Sequence, residues 1–360
     1  IYTYYFYRLI KGASEVHLFY NSQMGAFDAK EKSRFIYQLE LEPRLASQIK
    51  YRSVYFDSKS SPSDALNKVP KSDAYFQALK AHLSNGVSAS SLLSFLHHQD
   101  QFYSSYLLGI RQSDEIGPQM PANLLGTLIH DALDHLYSPL LGAALSKEGL
   151  KELVLQADRS IAHAYTKNEL SNQAEDGRSI LIYDVAKAYV LSVVESDLSE
   201  VEKGHEIRLL SPEDTYYTSL KLPLQGLETE APIRLKGKID RIDEIDGILR
   251  ITDYKTGAVK VSDVKFNAIE ESLLPAKQKV FQLLFYTLLL NDHEAFQSYF
   301  ERNGVQASIF STKHRAHYYL TQQKEQFRAD PSALKECLQL VHAQIEAMCS
   351  KDPYEIASAG

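Results

Sequence analysis

The chain has 360 residues, a formal net charge of −7, 44% hydrophobic residues and two cysteines. That length suffices for two domains around a well-buried core, and the acidic balance argues against indiscriminate nucleic-acid binding by the chain as a whole. Two cysteines exclude a disulfide framework or a Cys-rich metal site, which makes a reducing cytoplasm the default. There is no apolar run of transmembrane length and no signal-peptide pattern, so no membrane association is expected. The start at Ile1 rather than Met reads as a fragment of a longer protein.

Residues 1–57 read as a small α/β piece: a helix in YTYYFYRLIK, a strand Val16–Tyr20, a short helix Ser33–Leu39 and a strand Tyr51–Phe56. Residues 58–85 are a Ser-, Pro-, Asp- and Lys-rich linker followed by a helix from about Tyr75 to Leu83, closing on the turn signal Asn85-Gly86. Ser88 or Ser90 is a natural N-cap for a helix carrying Leu92, Leu93, Phe95 and Leu96, and a second aromatic helix spans Phe102–Leu108. Residues 122–137 form an amphipathic helix on which Gly126 and His130, four apart, share a face. A glycine there lets the backbone approach a neighbour and sets His130 deep. Two polar helices near 147–167 and 178–202 follow, ended by Gly204, then strands His205–Leu210 (containing Glu206) and Thr215–Leu222.

The most informative stretch is LKGKIDRIDEIDGILRITDYKTG, Leu235 to Gly257. Asp246-Gly247 between two alternating runs is a two-residue hairpin signal, because a type I′ turn needs positive φ at both central residues. Cross-strand partners then have residue numbers summing to a constant. Asp240 falls opposite Asp253, with Cβ atoms about 5 Å apart. Lys255 shares their face by the period of two. Ile242 falls opposite Ile251, and on the other face Asp243 opposite Arg250, a surface ion pair of small weight. Two carboxylates that close raise each other's pKa unless a cation neutralises them, and oxygen ligands suit magnesium or manganese. After Gly257 a basic stretch leads to a helix Ala276–Leu290 with Gln282 and Tyr286 on one face. Strands Val305–Ser311 and His317–Leu320 and a helix Ala333–Met348 close the chain.

Laid out in order, these features resemble the PD-(D/E)XK nucleases, specifically the RecB-type and AddB-type exonuclease domains of bacterial helicase–nucleases for double-strand break repair. They are S-x-S-x-L (Ser88, Ser90, Leu92), G-x-x-x-H (Gly126, His130), a strand glutamate (Glu206), G-x-I-D-R (Gly237 to Arg241), D-Y-K-T-G (Asp253 to Gly257) and Q-x-x-x-Y (Gln282, Tyr286). The resemblance covers about three quarters of the chain. It implies an α/β fold with a restriction-endonuclease-like core, a central mixed sheet flanked by helices, over residues 86–360, with extra N-terminal helices. It further implies a Mg²⁺- or Mn²⁺-dependent deoxyribonuclease acting on single-stranded DNA or duplex ends. His130, Glu206, Asp240, Asp253 and the Tyr254 carbonyl would be metal ligands. Asp240, Asp253, Lys255, Gln282 and Tyr286 would serve catalysis, with Lys255 orienting or deprotonating water or stabilising charge. Residues 1–57 more faintly resemble the last motif of a superfamily 1 helicase, with Arg8 at its arginine, and imply the remnant of a helicase-like domain and a helicase partner subunit. No G-x-x-x-x-G-K-[ST] loop is present to cradle ATP phosphates. Some AddB-type relatives carry a four-cysteine iron–sulfur cluster. Here His97, His98 and Gln99 stand near the first expected cysteine position, so no iron–sulfur cluster is expected and packing must replace it.

Blander readings stand beside each of these. The lysines around the hairpin (Lys236, Lys238, Lys255, Lys260, Lys265, Lys277, Lys279) are a DNA path or a solvated surface. His130 is a ligand or a satisfied core histidine; Glu206 a ligand or an exposed strand carboxylate; Gln282 and Tyr286 site residues or the polar edge of a core helix. A catalytically silent domain that guides DNA, or a phosphoesterase of small substrates, would share the same pattern.

Overall fold

A computed structural model describes residues 2–18, 33–46, 49–50, 67–110, 122–168, 177–221 and 232–356. The chain divides into two units, residues 1–63 and 64–360. The first contains α1 (Tyr2–Lys11), α2 (Arg34–Leu41) and α3 (Pro43–Ala46), and Phe6 stacks on Phe35 with ring centroids 4.9 Å apart. The expected strand Tyr51–Phe56 lies outside the described residues. Val16–Leu18, the described part of the other expected strand, is not in a strand.

In the second unit β1 (Asn67–Val69) leads to α4 (Asp73–Asn85), α5 (Ala89–His97) and α6 (Gln99–Phe102), the last running into a π-helical turn, Tyr103–Leu107. α4, the helix expected from about Tyr75 to Leu83, buries Tyr75, Leu79 and Leu83 in the core of this unit. Ser88 caps α5 as expected: its Oγ accepts the Ser91 N–H at 3.2 Å, and Ser91 Oγ accepts the Ser88 N–H at 3.0 Å. Next come α7 (Ala122–Tyr137), α8 (Lys147–Lys167) and α9 (Gly177–Glu202). α9 is less polar than its sequence suggests, burying Ala186, Val190, Val193, Val194 and Asp197.

Then follow β2 (Ile207–Ser211), β3 (Asp214–Leu220), β4 (Ile233–Ile239), β5 (Arg241–Ile245) and β6 (Ile248–Lys255). After a short β7 (Lys265–Phe266), α10 (Leu273–Ala276), α11 (Gln278–Asn291) and α12 (Glu294–Arg302) carry the chain over to β8 (Gln306–Ser311). The chain closes with β9 (Ala316–Tyr319), β10 (Thr321–Gln322), β11 (Glu325–Gln326), α13 (Pro331–Cys349) and β12 (Tyr354–Ile356). The central sheet is mixed, in the order β2-β5-β6-β8-β9, with β6 and β8 parallel and the other neighbours antiparallel. A parallel pair needs a long crossover, and α10–α12 supply it. β3 and β4 form a separate antiparallel ribbon.

Helices cover both faces of the sheet. On one, α4, α5, α11 and α13 pack with Ile242, Ile251 and Ile309; on the other, α7–α9 pack with Ile207, Leu209, Tyr254 and Phe310. β6 is consequently buried along six of its eight residues, as expected of a strand covered on both faces. The two ends of this unit are tied together. β1 pairs with β12, and Lys71 Nζ donates to the carbonyls of Ala347, Met348 and Ser350 at 3.2, 3.2 and 2.8 Å, closing the C-terminus of α13 with a positive charge. Both cysteines lie buried on α13, and burial pushes their thiols up, to about 12 for Cys337 and about 11 for Cys349.

His82 on α4 lies against the rings of Phe102 and Tyr106. Burial, and secondarily the charge of Lys236, pulls its pKa down to about 4. An unfolded chain takes up a proton at this residue below about 6.5 and the folded chain resists until about 4. His82 therefore subtracts stability as pH falls through that window and subtracts none above it. The loss is expected to reach about 2–3 kcal/mol. Urea midpoints of wild type and His82→Phe, compared at pH 7 and pH 4.5, should converge toward a smaller pH dependence in the variant.

Candidate metal centre

Asp246 (φ 51°) and Gly247 (φ 80°) form the turn, and the ladder pairs Ile245 with Ile248, Asp243 with Arg250, Ile242 with Ile251 and Arg241 with Thr252. This is the register read from the sequence. The chain kinks at Asp240, leaving β4 for β5, so Asp240 stands just beyond the last ladder pair. There its Oδ2 accepts the Tyr254 N–H at 2.7 Å, which holds the two aspartates on one side of the sheet end. A strand residue's carbonyl leaves on the same side as its N–H, so the Tyr254 carbonyl is aimed at this edge too.

Asp253 is 2% exposed and Asp240 9%. Lys255 Nζ lies 3.2 and 2.9 Å from the two Asp253 oxygens. Gln282 Nε2 donates to Asp253 Oδ1 at 3.1 Å and to the Tyr286 hydroxyl at 2.7 Å, so both residues of Q-x-x-x-Y come from α11 to the site. They can do so because Gly237 has no side chain. A Cβ there would lie 2.6 Å from Leu289 Cδ1 and 3.1 Å from Tyr286 Cε1, and only glycine lets α11 press this close to β4. From the opposite layer His130 Nδ1 reaches Asp240 Oδ1 at 3.1 Å.

Two expectations are corrected. Among the described residues Gly126 does not mediate a close approach: a Cβ there would meet none of their atoms within 4 Å, and the His130 side chain keeps 23% of its surface exposed. Glu206 is not on a strand and not at the site. It precedes β2, is exposed, and exchanges backbone contacts with Asp246 (N–H to Asp246 Oδ1 at 2.9 Å), at the turn end of the hairpin. At about 3.3 Å per residue that is about 20 Å from Asp240. The carboxylate that does arrive is Glu213, between β2 and β3. One ligand atom from each of His130, Glu213 and Asp240 lies within 4.8 Å of the others. The signal was a second register. β3 and β4 pair with numbers summing to that of Asp214 with Ile239, which puts Glu213 beside Asp240.

The electrostatics follow from this crowding. Burial and the charge of Asp240 push the Asp253 pKa up against the opposing pull of Lys255 and His130. Burial disfavours charged His130 and charged Lys255, yet the facing carboxylates outweigh it and hold both pKa values above the ordinary range. Asp253 Oδ2 is buried beside the Lys255 ammonium, 2.9 Å away. The carboxylates and the carbonyl are oxygen donors of the kind a hard divalent cation takes, and the imidazole adds one nitrogen donor. The residues present therefore fit a divalent ion.

Behind the site, the face assigned to a surface ion pair is covered instead by α7–α9. Asp243 is 0% exposed and Arg250 1%. Arg250 donates to Asp243 through Nε and Nη2, both at 2.8 Å; Arg241 bridges Asp243 (2.7 Å) and Asp197 on α9 (2.7 Å); and the Tyr137 hydroxyl donates to Asp197 at 2.6 Å. Burial alone would raise the Asp243 pKa, but Arg250 and Arg241 bring it down to about 2. The hairpin looked half-solvated because antiparallel hairpins usually are, whereas the parallel strand β8 places β6 in the middle of the sheet.

A sequence profile of the PD-(D/E)XK nuclease superfamily matches residues 86–355. Curated relatives include a subunit of the ATP-dependent helicase/deoxyribonuclease from Streptococcus agalactiae serotypes Ia, V and III. Each is 25% identical over 185 residues, covering 50% of this chain and 15% of the relative. The chain thus aligns with a small part of those proteins.

Two outcomes test the geometry. Glu213→Gln should weaken Mn²⁺ binding by about tenfold or more in calorimetry, in line with the cost of disturbing a metal shell, while Glu206→Gln binds as wild type. Asp243→Asn should cost about 3–5 kcal/mol in a urea titration, because it leaves Arg250 buried against a neutral partner while Arg241 keeps only Asp197.

Proposed function

Because the chain belongs to the PD-(D/E)XK nuclease superfamily, we propose that residues 86–355 hydrolyse phosphodiester bonds of DNA with Mg²⁺ or Mn²⁺, as an exonuclease serving a helicase–nuclease assembly. The observation that carries this reading is the facing pair Asp240 and Asp253 with His130, Lys255 and Glu213 around it. Asp240, Asp253, Glu213, His130 and the Tyr254 carbonyl are the groups that would hold the ion. When bound, a divalent cation supplies a nucleophile at neutral pH and offsets charge on the phosphoryl oxygens. Lys255, kept protonated by Asp253, acts as a fixed cation that orients the attacking water or offsets developing charge. Gln282 holds Asp253 in place from α11.

The DNA substrate and the helicase partner draw support from the relatives, which are helicase/deoxyribonuclease subunits. On the same ground we assign residues 1–57 to the remnant of a helicase-like domain. End-labelled single- and double-stranded DNA incubated with Mg²⁺ or Mn²⁺ tests the reading. Asp253→Ala should fall to background and Lys255→Ala should lose about 10²–10³-fold in rate, as removal of one charge-stabilising group does elsewhere. Equal residual activity in wild type and Asp253→Ala would mean that the domain only guides DNA.

A further inference from the structure

The β3–β4 ribbon buries one face against α11, through Tyr216, Thr218, Ile233, Leu235 and Gly237, and turns the other outward. That outer face is a ladder. On β4 it carries Lys238, Lys236 and Arg234; on β3 it carries their cross-strand partners Thr215, Tyr217 and Ser219. Tyr217 is 41% exposed, and the Arg234 guanidinium sits over its ring, 4.0 Å from ring centroid to Cζ. No carboxylate among the described residues lies within ion-pair distance of Arg234 or Lys236. At the ladder's inner end Lys238 pairs with Glu213, which is itself grouped with His130 and Asp240. The ladder therefore starts at the metal centre and leads away from it.

The outer edge of the ladder is fixed. Val87 N–H donates to the Arg234 carbonyl and the Lys236 N–H donates to the Val87 carbonyl, both at 2.8 Å. The Lys236 stem lies over Gly86, whose missing Cβ would stand 2.7 Å from Lys236 Cδ and whose φ of 118° itself favours glycine. Three cations thus repeat at about 6.6–7 Å, the spacing of alternate strand residues, in a nearly straight line. The phosphates of one duplex strand advance about 3.4 Å per base pair and wind around the axis, so they do not follow such a line. An extended single strand can, and its unpaired bases can stack on Tyr217.

We propose that this ladder is the track for single-stranded polynucleotide, receiving about three nucleotides beside the metal centre through phosphate contacts to Arg234, Lys236 and Lys238 and base stacking on Tyr217. The proposal rests on reading that centre as a phosphodiesterase site. It is tested in excess chelator, so that binding is read without hydrolysis. Fluorescence anisotropy of the whole chain with labelled (dT)20 and with a blunt 20-base-pair duplex is measured across a salt series. Tyr217→Ala should weaken (dT)20 binding roughly 5- to 100-fold and leave duplex affinity within about twofold, and Tyr217→Phe should restore it. Arg234→Gln with Lys236→Gln should reduce the slope of log K against log salt for (dT)20 by about 1.4, two contacts at about 0.7 each. Lys151→Gln on α8, a charge control far in sequence from the ribbon, should change neither. The proposal is overturned if wild type does not bind (dT)20, if Tyr217→Ala binds it as wild type does, or if the variants lose duplex and single strand alike. Loss of the track with metal-dependent cleavage of the same DNA intact would sink the ladder alone. The converse would sink the phosphodiesterase reading alone.

Discussion

One hydrogen bond organises the site: the Tyr254 N–H donated to Asp240 Oδ2. It continues the β5–β6 ladder one step past its last pair, at the point where the chain leaves β4 for β5. A kinked residue has no ladder of its own to fix it, so without this bond the Asp240 carboxylate would be free to turn to solvent. With it, one oxygen is engaged by backbone and the other is left for His130. The bond therefore decides both that two carboxylates share a spot and which of their oxygens can meet a cation.

Holding like charges together is unfavourable, and the surroundings show how the fold offsets the cost. On the α11 face the aspartates meet Lys255 and Gln282, both reaching Asp253. On the other face Arg241, next in sequence to Asp240, is anchored to Asp197 and Asp243 and lies over the Tyr137 ring. A buried ionic network of this kind is seldom a net source of stability compared with apolar packing. Its geometric effect is plainer: Tyr137, Asp197, Asp243 and Arg250, drawn from α7, α9, β5 and β6, lock the residue after Asp240. The alternation of side chains along β5 then leaves Asp240 little choice of direction.

How much of this was legible in the sequence depends on the range of the signal. Asp246-Gly247 is local, and its positive φ values set the pairing of the residues from Arg241 to Thr252. Gln282 and Tyr286 were legible as a pair one helical turn apart, but that they face Asp253 depends on Gly237, whose contact is with α11 rather than with its neighbours in sequence. Glu206 was misplaced because an acidic residue near a strand resembles a ligand. Glu213 was missed because its evidence is a pairing between β3 and β4, strands separated by a connection of unknown register when read as sequence. The buried state of Asp243 and Arg250 was invisible for another reason. Whether a hairpin's second face meets water or helices is decided by β8, α9 and the crossover, none of which alters the hairpin's own pattern.

The charges at the centre nearly cancel. Asp240, Asp253 and Glu213 face His130, Lys255 and Lys238, and each carboxylate has a cationic partner within reach. Two of these partners behave differently. Lys255 is anchored beside Asp253 and its raised pKa keeps it charged across the ordinary range, so it is a permanent feature of the site. His130 is also held in its charged form by Asp240 and Asp253, against its burial, but an imidazole ligates only when neutral. Were a divalent ion held there, it would compete with the His130 proton for the same carboxylate-lined position. The fold has set that competition by placing one titratable cation on α7, across the site from the lysine that does not yield.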